Sequence, residues 1–482
     1  MKNWKPILPV LIMILILVLV FVWNMNQETG HYPGCAGSRL TGEITVFTGT
    51  IVDHLRVITD GAVMVHQGKI AWIGMRNNVP EKNARLIETN GYIYPGFIDS
   101  HNHPSYNFLL PWRPGRTFQN RYQWASTKEY SSHVKPRTEI QKQIAGKVAI
   151  NRFAEIKAMI SGAVMIQGMD KLTGIKTLVR NLDSFNLCCE DFVSTSIHPL
   201  QPREMKRAMQ ILLQLDRQET KRHIIHLGEG IDDRSRGELE ELRKLGLLRP
   251  ETVIIHGTAF QTEELRLMSD TGMGLVWSPQ SNIACYGQTT RADLAVKLGV
   301  KVALAPDWSV TGKNNILEEL QFAWKVSNDT MNGFFSPKDL FEMITIRPAE
   351  ICGFDEFLGS IETGKEADFA IFRKVSQDPF ANLLEADLSD VLLVVICGKA
   401  FYGDPGLMDV AGSGPYETIE VLDVVKAIDV IEEDVSGVPF GEWSFADIVE
   451  RIRADYPDLP PLADGVGFPV QKQYGPHSVQ QY

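Results

Sequence analysis

Between residues 96 and 307 eight short apolar runs recur, with helix-length amphipathic stretches between them. The runs are GFID (96–99), AVMI (163–166), KTLV (176–179), FVSTS (192–196), HIIHL (223–227), VIIHG (253–257), GLVWS (274–278) and VALAPD (302–307). Helix-like text between them includes TEIQKQIAGKVAINRFAEIKAMI, PREMKRAMQILLQLDRQ and TEELRLMSDTG. Continuous apolar runs of this length, alternating with amphipathic helices, describe a parallel sheet covered on its outer face. Eight such units are the number that closes a (β/α)8 TIM-type barrel. A doubly wound open sheet is the competing α/β arrangement, but no glycine-rich phosphate loop follows the first run.

The polar residues at the ends of these runs strengthen the barrel reading. His101 and His103 lie just past the first run, His226 and His256 close the fifth and sixth, and Asp307 ends the eighth. Strand ends meet at the C-terminal face of a barrel, so separated segments deliver ligand-type side chains to one place. Two histidines one apart can address a single ion where a strand gives way to a loop. With a third imidazole and a carboxylate they form a site suited to zinc or iron that keeps room for water. We therefore expect one divalent metal ion per chain, zinc before iron, held by His101, His103, His226 and Asp307. Such an ion lowers the pKa of its water towards about 7. Glu229, three residues beyond His226, is placed to carry a proton from that water to a leaving nitrogen. His256 is expected to polarise substrate or to join the ligands.

Taken together, PGFIDSHNHP, HLGEG, IIHG, WSPQSN and LAPDW resemble the amidohydrolase superfamily. They are most similar to its single-metal branch, which includes cytosine and guanine deaminases, imidazolonepropionase and triazine hydrolases. The resemblance spans roughly residues 38 to 405, including the rear segment GSIETGKEADFAIF. It implies a barrel with a composite β-sandwich and hydrolysis of a carbon–nitrogen or, rarely, a carbon–halogen bond. On the family pattern His101, His103, His226 and Asp307 match the metal ligands. Glu229 matches the proton shuttle, His256 the substrate-orienting histidine, and Asp307 also takes the first proton from the water. No lysine ends the fourth run, FVSTSIHP, where the two-metal branch keeps a carboxylated lysine.

The substrate is read less sharply. The loop YNFLLPWRPGRTFQNRYQW offers Tyr106, Arg121, Tyr122 and Trp124 as a lining for a flat or acidic molecule, and His198 follows the fourth run. A lid packed on its own aromatics is an equal reading of that loop. Hydrolysis of a cyclic amide leads, with deamination of an aminated heterocycle as the alternative. A catalytically silent scaffold on the same fold is the third reading, opposed by the complete ligand set.

The flanks divide the rest of the chain. Residues 31–95 and 355–405 read as short alternating strands that join into one composite β-sandwich beside the barrel of residues 96–354. Residues 406–482 read as a helical extension, with EVLDVVKAIDV and WSFADIVERIRADY as its helices, and a tail. Residues 1–30 hold Lys2 and Lys5 before an apolar run from Ile7 to Trp23, which reads as an N-terminal membrane-anchor helix or a signal segment. The lysines would stay in the cytoplasm, leaving the catalytic part outside it, anchored or secreted after cleavage. Six cysteines suit disulfides in such a compartment, with burial as free thiols an equal reading for Cys285 and Cys352. A formal net charge of −11 argues against nucleic acid as a partner, since phosphate binding needs a basic surface. A small-molecule substrate is expected, and oligomer formation is left open.

Overall fold

The apolar runs of the central region become two parallel ladders in the computed structural model, which describes residues 43–170, 177–183, 193–196, 205–412, 414–431 and 442–469. The N-terminal run and His198 lie outside these residues. Among the described residues no helix is long and apolar enough to cross a membrane.

Four strands open the described chain: β1 (Thr45–Val52), β2 (Val57–His66), β3 (Lys69–Met75) and β4 (Arg85–Pro95). Eight follow from the central runs: β5 (Phe97–Asp99), β6 (Ala163–Ile166), β7 (Arg180–Asn181), β8 (Val193–Ser196), β9 (Arg222–Leu227), β10 (Thr252–His256), β11 (Gly274–Trp277) and β12 (Lys301–Leu304). Strands β5, β6 and β7 form one parallel sheet, and β8 to β12 form a second in sequence order. Their inward side chains meet in a single cluster: Ile98, Met165, Val193, Ile224, Val253, Val276 and Ala303 pack together with Leu182, which follows β7. The ladders do not close into one ring among the described residues. On one side the Ile98 N–H goes to the Ile344 carbonyl, and the two sheets meet only beyond the strand ends, where Asn102 bridges Asp307. On the other side β7 and β8 share no ladder.

The third central strand starts later than the run KTLV suggests. The Leu178 and Val179 amides are both taken by the Glu155 carboxylate, so the ladder with β6 begins at Arg180. The first helix is also divided, at residues 141–143, into Lys135–Ile140 and Ile144–Met159.

The flanking strands build one continuously bonded sheet rather than two separate ones. The rear contributes β13 (Phe369–Phe372), β14 (Val391–Ile396), β15 (Lys399–Gly403), β16 (Glu417–Val421) and β17 (Val424–Ile428), in the order β16-β17-β15-β14-β13-β4-β1-β2-β3. The two chain ends are joined by β13, antiparallel to β4 with Ile371 opposite Ile93. The expected helix EVLDVVKAIDV is therefore a hairpin. Leu422 and Asp423 both adopt left-handed backbone (φ 49° and 65°), the conformation of a tight two-residue β-turn, and Val421 pairs with Val424. Period-2 burial of Glu417, Ile419 and Val421 overrides the helical reading of the same apolar letters. The second expected helix is present as Phe445–Asp455, opened by a capping box between Ser444 and Asp447. It buries Phe445, Ile448, Val449 and Ile452, and meets the helix Ile144–Met159.

Candidate metal centre

The site gathers where β5, β9, β10 and β12 end. Short strands stop abruptly there because each is followed by residues that leave the ladder. The Ala305 N–H still bonds to Trp277, but Pro306 has no N–H and Asp307 turns left-handed (φ 69°). His256, the last residue of β10, is also left-handed (φ 73°), a rare backbone for a residue of this size. Two such positions at two strand ends of one cluster are the kind of local strain found where side-chain aim matters more than stability.

The structure brings His101, His103, His226, His256, Asp307 and Glu229 together, all at the strand ends the sequence indicates. His101 Nε2 is 3.1 Å and His103 Nε2 3.4 Å from Asp307 Oδ1, while His103 Nε2 and His226 Nε2 are 3.3 Å apart. Two overlapping groups have the spacing of a metal site: His101 with His226 and His256, and His101 with His103 and Asp307. His101 Nε2 and Asp307 Oδ1 face one another, buried and without any other hydrogen-bond partner, an arrangement that suits an ion held by both. Burial pushes His103 down to about 3 and, with the neighbouring cationic groups, His226 well below its usual range. Both are therefore neutral near pH 7 and offer lone pairs. Burial alone would raise Asp307, but the three histidines His101, His103 and His256 outweigh it and hold the carboxyl well below the usual range.

Hydrogen bonds around the cluster fix which nitrogen each imidazole turns inward. Asn282 Oδ1 receives the Thr289 hydroxyl at 3.2 Å, so its NH2 faces His256 Nδ1 at 3.0 Å. The His256 proton then sits on Nε2, which points towards Glu229 Oε2 at 3.8 Å. In that tautomer His256 turns an N–H inward, and its ring also lies within the spacing of a metal site. Asp307 Oδ2 is held by Ser281 Oγ at 2.6 Å, which contacts Thr311 Oγ1 at 2.7 Å. This leaves Oδ1 to the centre.

Glu229 is clamped at both oxygens. Tyr286 donates to Oε1 at 2.7 Å, and Arg121 Nη1 lies 3.0 Å from Oε2. Trp124 Nε1 donates to Tyr286 Oη at 2.8 Å. Arg121 and Trp124, expected to touch substrate, thus reach the site but act on Glu229. Tyr106 stands edge-on to Trp308, ring centroids 5.2 Å apart, with Arg137 over its ring at 4.1 Å. Tyr122 donates to Glu238 at 2.8 Å. Sequence reasoning missed Gln167, Asp183, Ser281, Asn282 and Tyr286. Gln167 directly follows the run AVMI, so the strand-end rule reaches it once amides are admitted beside ligand-type residues.

Comparison with known proteins finds similarity over part of the chain. Residues 197–401 match the amidohydrolase family. A 5-methylthioadenosine/S-adenosylhomocysteine deaminase of Thermodesulfovibrio yellowstonii is 23% identical over 413 residues, covering 74% of this chain and 93% of that protein. Guanine deaminase of Escherichia coli is 24% identical over 380 residues, covering 67% and 83%. Among solved structures, E. coli guanine deaminase superposes with a TM-score of 0.60 at 18% identity, covering 74% of this chain and 99% of that one. A mutant of atrazine chlorohydrolase from Arthrobacter aurescens, solved with zinc and atraton, gives a TM-score of 0.60 at 16% identity, covering 74% and 95%. These structural likenesses define the shared fold.

Proposed function

We propose that the chain is a hydrolase of non-peptide carbon–nitrogen bonds that works with one divalent ion, zinc before iron, held by His101, His103, His226 and Asp307. The observation that carries the reading is the pair His101 Nε2 and Asp307 Oδ1, 3.1 Å apart, buried and otherwise unpartnered. Such an ion supplies Lewis acidity, making a water acidic enough to lose its proton near neutral pH. Asp307, anchored at Oδ2 by Ser281, is the carboxylate that would accept that proton. Glu229, steadied by Arg121 and Tyr286, passes a proton to the departing nitrogen. The His256 Nε2–H donates to the substrate atom that gains negative charge. The names of the relatives favour deamination of an aminated heterocycle over opening of a cyclic amide.

The eight central strands are read as a (β/α)8 barrel, supported by their common core and by the fold of the structural neighbours. We also place the catalytic part outside the cytoplasm, behind the apolar run Ile7–Trp23. In support, Cys397 is disulfide-bonded, a state that suits an oxidising compartment, whereas Cys285 and Cys352 are buried free thiols.

The test is turnover of aminated heterocycles and cyclic amides by the metal-loaded protein, with ammonia and ring opening measured separately. Ammonia release is expected, and ring opening without ammonia would sink the deaminase. Asp307→Asn should abolish turnover and leave the fold intact; an unchanged rate would remove the mechanism.

A further inference from the structure

Behind His101 lie three polar residues that the proposed reaction does not use. Gln167 follows β6, Asp183 follows β7 and Thr195 lies in β8, so the set spans three successive strands beside the one that leads to His101. The Asp183 carboxylate accepts from Gln167 Nε2 at 3.1 and 3.3 Å, from the Gly168 N–H, and from Thr195 Oγ1 at 2.7 Å. An ionised carboxylate only accepts, so Gln167 must turn its NH2 to Asp183 and its oxygen the other way. Gln167 Oε1 accordingly faces His101 Nδ1 at 3.2 Å and the Asn102 N–H at 3.4 Å. An amide oxygen cannot donate. The His101 proton is therefore on Nδ1, and the Nε2 lone pair is turned onto the metal centre beside Asp307 Oδ1.

We propose that Asp183, acting through Gln167, sets the tautomer of His101 and with it the affinity of the metal centre. Thr195 ties this setting to the seam between β7 and β8, where no ladder joins the two sheets among the described residues. Asp183 and Gln167 are positioning residues; neither touches the reacting atoms. The inference rests on the metal-centre reading above, and its consequence is specific to the ion. Asp183→Asn offers an NH2 where only acceptors stood. Gln167 can then reverse, present its own NH2 to His101 Nδ1, and drive the imidazole proton to Nε2, where it blocks a ligand position.

The experiment is zinc and cobalt(II) affinity of the metal-stripped protein, measured by competition with a chromophoric chelator, alongside the cobalt absorption spectrum and the melting temperature of the stripped protein. Asp183→Asn is expected to weaken zinc by ~10- to 100-fold and to alter the cobalt bands, the range found when an outer partner of a ligating histidine is lost. Gln167→Glu keeps an acceptor against His101 and, with one proton shared between the two facing carboxyls, should weaken zinc less than Asp183→Asn does. If Asp183→Asn fails to fold, Gln167→Met makes the same test, because it removes that acceptor and spares the Asp183–Thr195 bond. A lowered melting temperature with unchanged zinc affinity would overturn the relay and reduce these residues to packing. A parent protein that binds neither metal would instead overturn the metal-centre reading itself.

Discussion

His101 and His256 stand with ring centroids 5.4 Å apart, yet their partners commit them to opposite jobs. Gln167 presents an oxygen to one and Asn282 an NH2 to the other, so one ring turns a lone pair inward and the other an N–H. This predicts that Asn282→Asp, which would accept from His256 Nδ1, strips the donor from Nε2. Turnover should fall by ~10²- to 10³-fold, the usual effect of losing one stabilising donor, while metal content stays unchanged. An unaffected rate would show that His256 donates nothing in the reaction. Glu238 gives a second test. Burial, against hydrogen bonds from Tyr122 and Gly228, pushes its carboxyl up to about 7. A raised folded pKa means that its contribution is full below the unfolded value and is lost as pH rises from about 4.5 to about 7. Glu238→Gln should therefore gain stability relative to the parent between pH 5 and pH 8, as read from melting temperatures; a parallel pair of pH profiles would contradict the shift. At this scale the clustered His and Asp residues were legible because those side chains declare their chemistry at strand ends. Gln167 and Asn282 were not, since an amide's role depends on which neighbour it faces.

Among the elements, six of the eight central strands lie within about a residue of their apolar runs, while the third is displaced by Glu155 and the eighth is cut short before Pro306. Neither competing contact is visible in hydrophobic periodicity: one comes from a side chain 23 residues away and the other from a missing donor. The hairpin β16–β17 failed for another reason. Leu422–Asp423 is a poor advertisement for a turn that needs left-handed backbone at both positions, and Asn-Gly would have signalled it. Asp423→Gly should accordingly stabilise the protein by ~0.5 kcal/mol, the scale of relieving one left-handed non-glycine residue, as measured by denaturant unfolding. A loss of stability would mean that the Asp423 side chain does more than turn. The C-terminal helix is held by its buried face, so Ile452→Ala, at a fully buried position, should cost about 2–4 kcal/mol. A change below ~1 kcal/mol would imply that the helix is not part of the cooperative fold.

The molecule as a whole combines a metal-type centre with a nine-stranded sheet assembled from both ends of the described chain. The acidic balance that argues against nucleic acid leaves a small molecule as the expected substrate. Which small molecule was not legible, because Arg121 and Trp124, the residues that looked free to meet it, are engaged with Glu229 and Tyr286. The central claim is the ion. Elemental analysis of the protein purified without chelators or metal-binding tags tests it most directly. One equivalent of zinc or iron per chain, lost in Asp307→Asn, is the predicted result. No bound metal even after incubation with zinc, or two equivalents in the parent protein, would contradict a centre built from His101, His103, His226 and Asp307.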